Sequence, residues 1–158
     1  MKYFTYIETI EPEYQAIVDH NKWLLGEDFT VFRECPYDIP QGADNRWKSD
    51  VARIMWLRDN PDWIWVDADA YVLKPIDFDI TQPMFLNYVG QRDIAVIIGN
   101  GDSSFFAEML KAQTPFVGWA QGYINRNRSL SGDIPVSYFN HKGLHRKRLL
   151  NSNNSVIL

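Results

Sequence analysis

The sequence predicts an α/β fold, with a mixed, mostly parallel sheet flanked by helices. Three observations carry that prediction. Short aromatic and β-branched runs alternate with helix-period segments through the first half, as in a parallel sheet with helical crossovers. The middle of the chain is rich in strands. A length of 158 residues fits one such domain and excludes two full enzyme domains.

Residues 3–10 open the sheet as an aromatic, β-branched strand. Pro12 then starts a helix over 13–25, with Tyr14, Ile17, Val18 and Leu25 at roughly helical spacing and Gly26 as its stop. A second strand follows at Phe29–Phe32, and 36–42 is a loop with two prolines and a glycine. The second helix runs over 44–59 with an apolar face of Trp47, Val51, Ile54 and Met55. Asn60-Pro61-Asp62 ends it, because proline cannot continue the helical ladder. The apolar run 63–66 reads as a buried strand that ends in Asp67-Ala68-Asp69. Strands are expected at 71–73, 84–89 and 94–98 and a helix at 103–112, capped by Ser103 or Asp102. The glycine-containing stretch 118–127 forms a short helix and 134–139 a last strand. Residues 1–150 make one domain and 151–158 a polar tail.

Composition excludes several classes. Hydrophobic residues are 46% and charged ones 23%, an ordinary globular balance rather than a disordered one. Sixteen Lys+Arg against twenty Asp+Glu give a net charge of −4, the wrong sign for general nucleic-acid binding. No apolar run reaches the length of a membrane span, and the first ten residues turn polar too soon for a signal peptide. Cys35 stands alone, without a partner for a disulfide or a thiolate cluster. These features read as a reduced, cytoplasmic protein.

The chemistry concentrates after the 63–66 strand. Two carboxylates, Asp67 and Asp69, stand two residues apart at a strand end and can share one divalent cation. Hard oxygen ligands suit Mg²⁺ or Mn²⁺. Such a metal neutralises a diphosphate as it leaves. A polar turn after a strand would look the same. On the preceding helix, Arg46, Asp50, Arg53 and Leu57 fall at i, i+4, i+7 and i+11, one stripe, so Asp50 and Arg53 face the same way. A solvated salt bridge is the plainer account of that pair.

The order of these pieces is more specific than any one of them. Ser49-Asp50-Val51-Ala52-Arg53, a helix, Trp65-Val66-Asp67-Ala68-Asp69 and Val72-Leu73-Lys74-Pro75, spanning 49–75, resemble the DXD-motif glycosyltransferases that share a sugar-binding region. These include capsular polysaccharide and mannosyl transferases and the large clostridial glucosylating toxins. The resemblance implies a GT-A-like fold, the nucleotide-diphospho-sugar transferase type. It also implies that Asp50 and Arg53 hydrogen-bond a donor sugar, while Asp67 and Asp69 meet Mn²⁺ or Mg²⁺ and the ribose or diphosphate. Asn60-Pro61-Asp62 replaces the family's frequent Gly-Gly and makes an equally good turn. Haloacid-dehalogenase-type phosphatases, a distant alternative, also place Asp-x-Asp after an apolar strand. They want Thr or Val where this chain has Tyr71.

Three later segments resemble the same families. Ile97-Ile98-Gly99-Asn100-Gly101 is similar to a strand ending in an Asn beside the donor sugar, although a simple strand-to-helix turn suits Gly-Asn-Gly too. Gln121-x-x-x-Asn125 is similar to the acid-Gln-x-x-x-Asn segment of retaining enzymes and implies Gln121 near the anomeric carbon. Ala120 stands in place of the acid. Ile134-Pro135-x-x-Tyr138-x-Asn140-His141 resembles the last core strand, whose His is a third metal ligand. The spacing of Gly143 leaves His141 or His145 for that role. Residues 141–148 hold four Lys/Arg and two His with no acid, so Lys142, Arg146 and Lys147 are candidate diphosphate contacts.

The expectation is a metal-dependent hexosyltransferase moving sugar from a UDP- or GDP-sugar to an acceptor hydroxyl, a glycan being one candidate acceptor, with retained configuration. Asp69 and Gln121 carry the chemistry. The chain is short for these families, which keeps a second reading open: an inactive module that binds nucleotide sugar or glycan.

Overall fold

The computed structural model describes residues 1–39 and 44–141. Part of the expected 36–42 loop lies outside the described residues. So do Lys142, His145, Arg146, Lys147 and the expected tail. Twelve elements follow in order: β1 (Tyr3–Tyr6), α1 (Pro12–Leu25), β2 (Phe29–Phe32), α2 (Asn45–Asp59), β3 (Ile64–Val66), β4 (Ala70–Val72), β5 (Met84–Tyr88), β6 (Gln91–Ile98), α3 (Ser104–Lys111), α4 (Trp119–Arg126), β7 (Gly132–Asp133) and β8 (Phe139–His141).

Local chemistry sets the helix ends. Pro12 occupies the first turn of α1, where its missing N–H is no loss. Gly26 closes that helix at φ +57°, a conformation glycine takes without strain. Asp44 caps α2: its Oδ1 accepts from Arg46 N at 2.8 Å and Trp47 N at 3.4 Å. At α3 it is Asp102, not Ser103, whose side chain accepts a backbone bond, from Ser104 N at 2.9 Å.

The main sheet has six strands in the order β2-β1-β3-β6-β5-β7. β1 pairs in parallel with β2 and β3, and β5 with β7, whereas β6 runs antiparallel to both β3 and β5. The result is the mixed, mostly parallel α/β sheet flanked by helices that the sequence predicts. β4 and β8 form a separate antiparallel ribbon.

Apolar side chains cover both faces. Trp65 of β3 packs with Phe4, Ile54, Leu57, Phe106 and Met109 on one side. Its neighbours Ile64 and Val66 join Tyr3, Val18, Val72, Val96 and Phe139 on the other. This two-sided burial is why 63–66 reads as an unbroken apolar run. Each such side chain contributes about 1.5–3 kcal/mol of burial.

Two expected strands are redrawn. The first ends at Tyr6 rather than residue 10. The expected strand at 134–139 instead follows the end of β7 at Asp133, makes a turn in which Tyr138 N donates to Pro135 O at 3.3 Å, and reaches β8 only at Phe139. Pro135 lacks the N–H that an interior strand position needs. No described helix is long and apolar enough to cross a membrane.

One position carries backbone strain. The β5–β6 hairpin turns on Val89 and Gly90 at φ +45° and +81°. Both central residues of this two-residue turn are left-handed, which suits Asn-Gly and penalises a β-branched side chain. Val89 is 63% exposed, so no packing compensates. Val89→Asn is expected to raise stability by about 1 kcal/mol, read as a higher urea midpoint with an unchanged slope.

Candidate metal centre and adjoining cleft

The buried strand β3 delivers Asp67 to the sheet rim, where its N–H extends the ladder to Ala95 O at 2.8 Å. The chain then turns: Ala70 N donates to Asp67 O at 3.0 Å. A tight turn, not extended two-residue alternation, therefore brings Asp67 and Asp69 to one side. β4 starts at the next residue, and its register with β8 sets Ala70 opposite His141. His141 Nε2 lies 2.9 Å from Asp69 Oδ1 and 4.0 Å from Asp67 Oδ2. One ligand atom from each of the three residues falls within 4.8 Å of the others. Among the described residues this is the one grouping of His, Cys, Asp or Glu with that geometry.

Arg53 reaches the same place from α2 and is 7% exposed. Its Nη1 donates to Asp67 Oδ1 at 3.0 Å and to Ile94 O at 2.9 Å. Nη2 donates to Ser49 Oγ at 2.9 Å and lies 3.4 Å from Asp50 Oδ1, while Nε donates to Ser49 O at 3.3 Å. The guanidinium also sits 4.2 Å from the Trp65 ring centroid. Trp65 Nε1 adds a second donor to Asp67 Oδ1, at 2.8 Å. That oxygen is saturated, and Oδ2 is the one placed toward His141. Asp50 is also buried, so the Asp50–Arg53 pair is not a solvated surface bridge. The expected donor-sugar contact from Arg53 meets an obstacle here, since all its N–H groups face protein acceptors.

Burial and neighbouring charge shift these groups in different directions. Burial pushes the Asp67 carboxyl up to about 6; Arg53 opposes the rise and Asp69 adds to it. Burial also raises Asp50, with Arg53 opposing. At Asp69 burial pushes upward, but the hydrogen bond and charge of His141 prevail and hold it below the usual carboxylate range. For His141 burial acts downward, and the Asp69 bond with the Asp69 and Asp67 charges still raises it above its ordinary value. The site is thus short of positive charge around two close carboxylates.

An open cleft of about 380 Å³ adjoins the cluster. Asp50, Arg53, Asp67 and Gln121 all line it, together with Ser49 and Asp93. Gln121 Oε1 is buried and has no hydrogen-bond partner among the described residues. The Gln-x-x-x-Asn spacing has a local reason. Asn125 Oδ1 accepts from Arg92 N at 2.9 Å, and its Nδ2 donates to Arg92 O at 2.9 Å and Gln121 O at 2.8 Å. One side chain thereby fastens α4 to the start of β6.

Asn100 is not part of this site. β6 runs antiparallel to β3, with Ile98 opposite Ile64 and Val96 opposite Val66. Asn100 therefore lies at the end of the sheet away from Asp67, beside Asp62 and Phe78. The reversed strand brings its first residues to the cleft instead, which places Asp93 there. Asp93 Oδ1 accepts from Ala95 N at 2.8 Å. The sequence signal for Asp93 is slight: an acid at the head of an apolar run.

No family model matches the chain, and no curated protein does. The fold is found among solved structures. It is similar to a glycosyltransferase involved in the glycosylation of the major capsid of PBCV-1, with a TM-score of 0.58. The match covers 90% of this chain and 93% of that one at 11% sequence identity, so what the two share is the fold.

Proposed function

We propose that this protein is a metal-dependent glycosyltransferase that takes sugar from a UDP- or GDP-sugar and places it on an acceptor hydroxyl with retained configuration. The observation that carries the reading is the Asp67–Asp69–His141 cluster at a strand end, beside a cleft that Asp67 lines together with Asp50, Arg53 and Gln121, in a fold shared with a glycosyltransferase.

The donor set fits a hard divalent ion: carboxylate oxygens from Asp69 and Asp67 Oδ2, and one imidazole nitrogen. Mn²⁺ or Mg²⁺ held there would supply charge to a departing diphosphate. Asp50 offers a carboxylate to sugar hydroxyls on the cleft wall. Arg53 acts by fixing Asp50 and Asp67 rather than by touching sugar. Gln121 lines the cleft and is the side chain assigned to the neighbourhood of the anomeric carbon; its buried carbonyl oxygen would have to turn toward the cleft to meet a partial positive charge there.

The test is nucleotide release from UDP-glucose, UDP-galactose and GDP-mannose, with water and a panel of mono- and oligosaccharides as acceptors of the sugar, in Mn²⁺ and in chelator. Mn²⁺-dependent release from one donor is the expected result. Binding of a donor without release would select the inactive-module reading. No binding of any donor in Mn²⁺ would remove the assignment.

A further inference from the structure

The ribbon that carries His141 shares no hydrogen-bonded edge with the sheet that carries Asp67. The three candidate ligands therefore straddle two sheets joined by the turn Asp67-Ala68-Asp69. Holding one cation requires the ribbon to sit within about 0.5 Å of its place. Apolar packing alone does not give that precision. Ala70, Val72 and Phe139 share a buried cluster with Val18 of α1, but hydrophobic attraction is non-directional and tolerates sliding.

Directional contact comes from Asn21 on α1, which is 1% exposed. Its Nδ2 donates to Ala70 O at 2.9 Å, and its Oδ1 accepts from Val72 N at 2.8 Å. The C=O of one strand residue and the N–H two residues on point to the same edge. A parallel neighbour would take that pair, and here a side-chain amide takes it. His20 Nε2 adds a bond to Val72 O at 2.9 Å. The opposite edge of β4 pairs with β8, where Ala70 faces His141, and Asp69 immediately precedes Ala70. An apolar residue at 21 would leave a buried C=O and a buried N–H unpaired.

We propose that Asn21 is a positioning residue for the metal centre. From α1 it sets the register of β4, and through β4 the approach of Asp69 to His141. The metal part of this proposal rests on the function proposed above; the Asp69–His141 geometry does not.

The experiment compares Asn21→Leu with Met109→Ala, a core truncation in the cluster around Phe106 that destabilises without touching the ribbon. Both are checked for folding by circular dichroism and read well below their melting temperatures. The first readout, in metal-free protein, is the ¹⁵N and ¹H shifts of the His141 ring. These are expected to move in Asn21→Leu and to stay at the parent's values in Met109→Ala. The second readout is Mn²⁺ affinity by calorimetry, expected to fall by about tenfold or more in Asn21→Leu and less than about twofold in Met109→Ala. Should Asn21→Leu fail to fold, Asn21→Asp, which keeps an acceptor for Val72 N, is read in the same way. A His141 ring and a Mn²⁺ affinity both unchanged in a folded Asn21 variant overturn the proposal, as does an equal response from Met109→Ala. A parent that binds no Mn²⁺ while His141 still moves on substitution refutes the metal reading and leaves the positioning role standing.

Discussion

Asp69→Asn is expected to reduce Mn²⁺-dependent donor turnover by on the order of 10²–10³-fold while the protein stays folded. The side chain is half-buried at the turn between β3 and β4, and its Oδ1 contacts His141 Nε2 at 2.9 Å. Asparagine keeps the volume and a carbonyl oxygen for that contact, so the ribbon and its register should survive. What it loses is one of the two negative charges that would let the cluster hold a divalent ion. It also loses an acceptor-only group that a metal can use without a proton to displace. The remaining ligands, Asp67 Oδ2 and His141, supply too little charge to compete with the hydration of Mn²⁺. Calorimetric titration of Mn²⁺ with UDP or GDP should show the binding loss directly. Unchanged turnover, or binding in the variant equal to the parent's, would mean that the cluster is a structural polar turn and not a metal centre. Chelation of the parent should reproduce the variant's phenotype, and a parent indifferent to chelator would equally make the cluster a structural turn.

The parts of the fold that are legible in the sequence are those governed by local rules. Pro12, Gly26, Asp44 and Asn60-Pro61-Asp62 punctuate α1 and α2 where the structure has their ends. Buried, two-sided β3 stands out as an apolar run. Strand direction is a different matter, because it depends on partners far away in the chain. β3 and β6 look alike as sequences, and neither states that they run antiparallel. A continuing parallel sheet would put Asn100 beside Asp67; the reversal moves it to the other end and brings Asp93 in. The same logic explains the last strand: Pro135 marks a break, but only the β4–β8 pairing shows why chain direction resumes at Phe139. At the site, Asp50, Arg53, Asp67 and Gln121 share one cleft. The stripe on α2 indicates which residues face together, yet it does not show that Arg53 spends its donors on protein groups. Trp65 is legible as core, and its N–H to Asp67 is not, because a strand residue's polar tip leaves no trace in hydrophobic patterning. Asn21 is invisible for a related reason. A polar residue on an apolar helix face reads as an interruption until the strand it serves is known.

Arg53→Met is expected to cost about 3–5 kcal/mol of folding stability, among the largest losses available to a single substitution here. The guanidinium is buried and makes contacts with Asp67, Asp50, Ile94 O and both the backbone and hydroxyl of Ser49. Methionine fills comparable space and keeps the packing on Trp65, so cavity formation is a minor part of the cost. The main cost is leaving the buried Asp50 carboxylate and the partly buried Asp67 carboxylate without their cation. With total stability of a domain this size on the order of 5–15 kcal/mol, the variant should remain folded but with a much lower urea midpoint. Arg53→Lys keeps the charge and loses the fork that reaches Asp67, Asp50 and Ile94 O together, so it should fall between the parent and the methionine variant. The pH dependence has a definite sign. Burial already pushes the Asp67 carboxyl up to about 6 with Arg53 beside it, and removing Arg53 pushes it higher. A folded-state pKa above the unfolded value means that the folded form takes up a proton first. The methionine variant therefore regains stability as pH falls through this range toward the unfolded value, and loses it again as pH rises. Adding Asp67→Asn to Arg53→Met removes one of the stranded charges and should recover part of the loss at neutral pH without acid. A loss below about 1 kcal/mol in Arg53→Met, flat between pH 5 and pH 8, would show that the pair is solvated in solution and that α2 does not fix the cleft through Arg53.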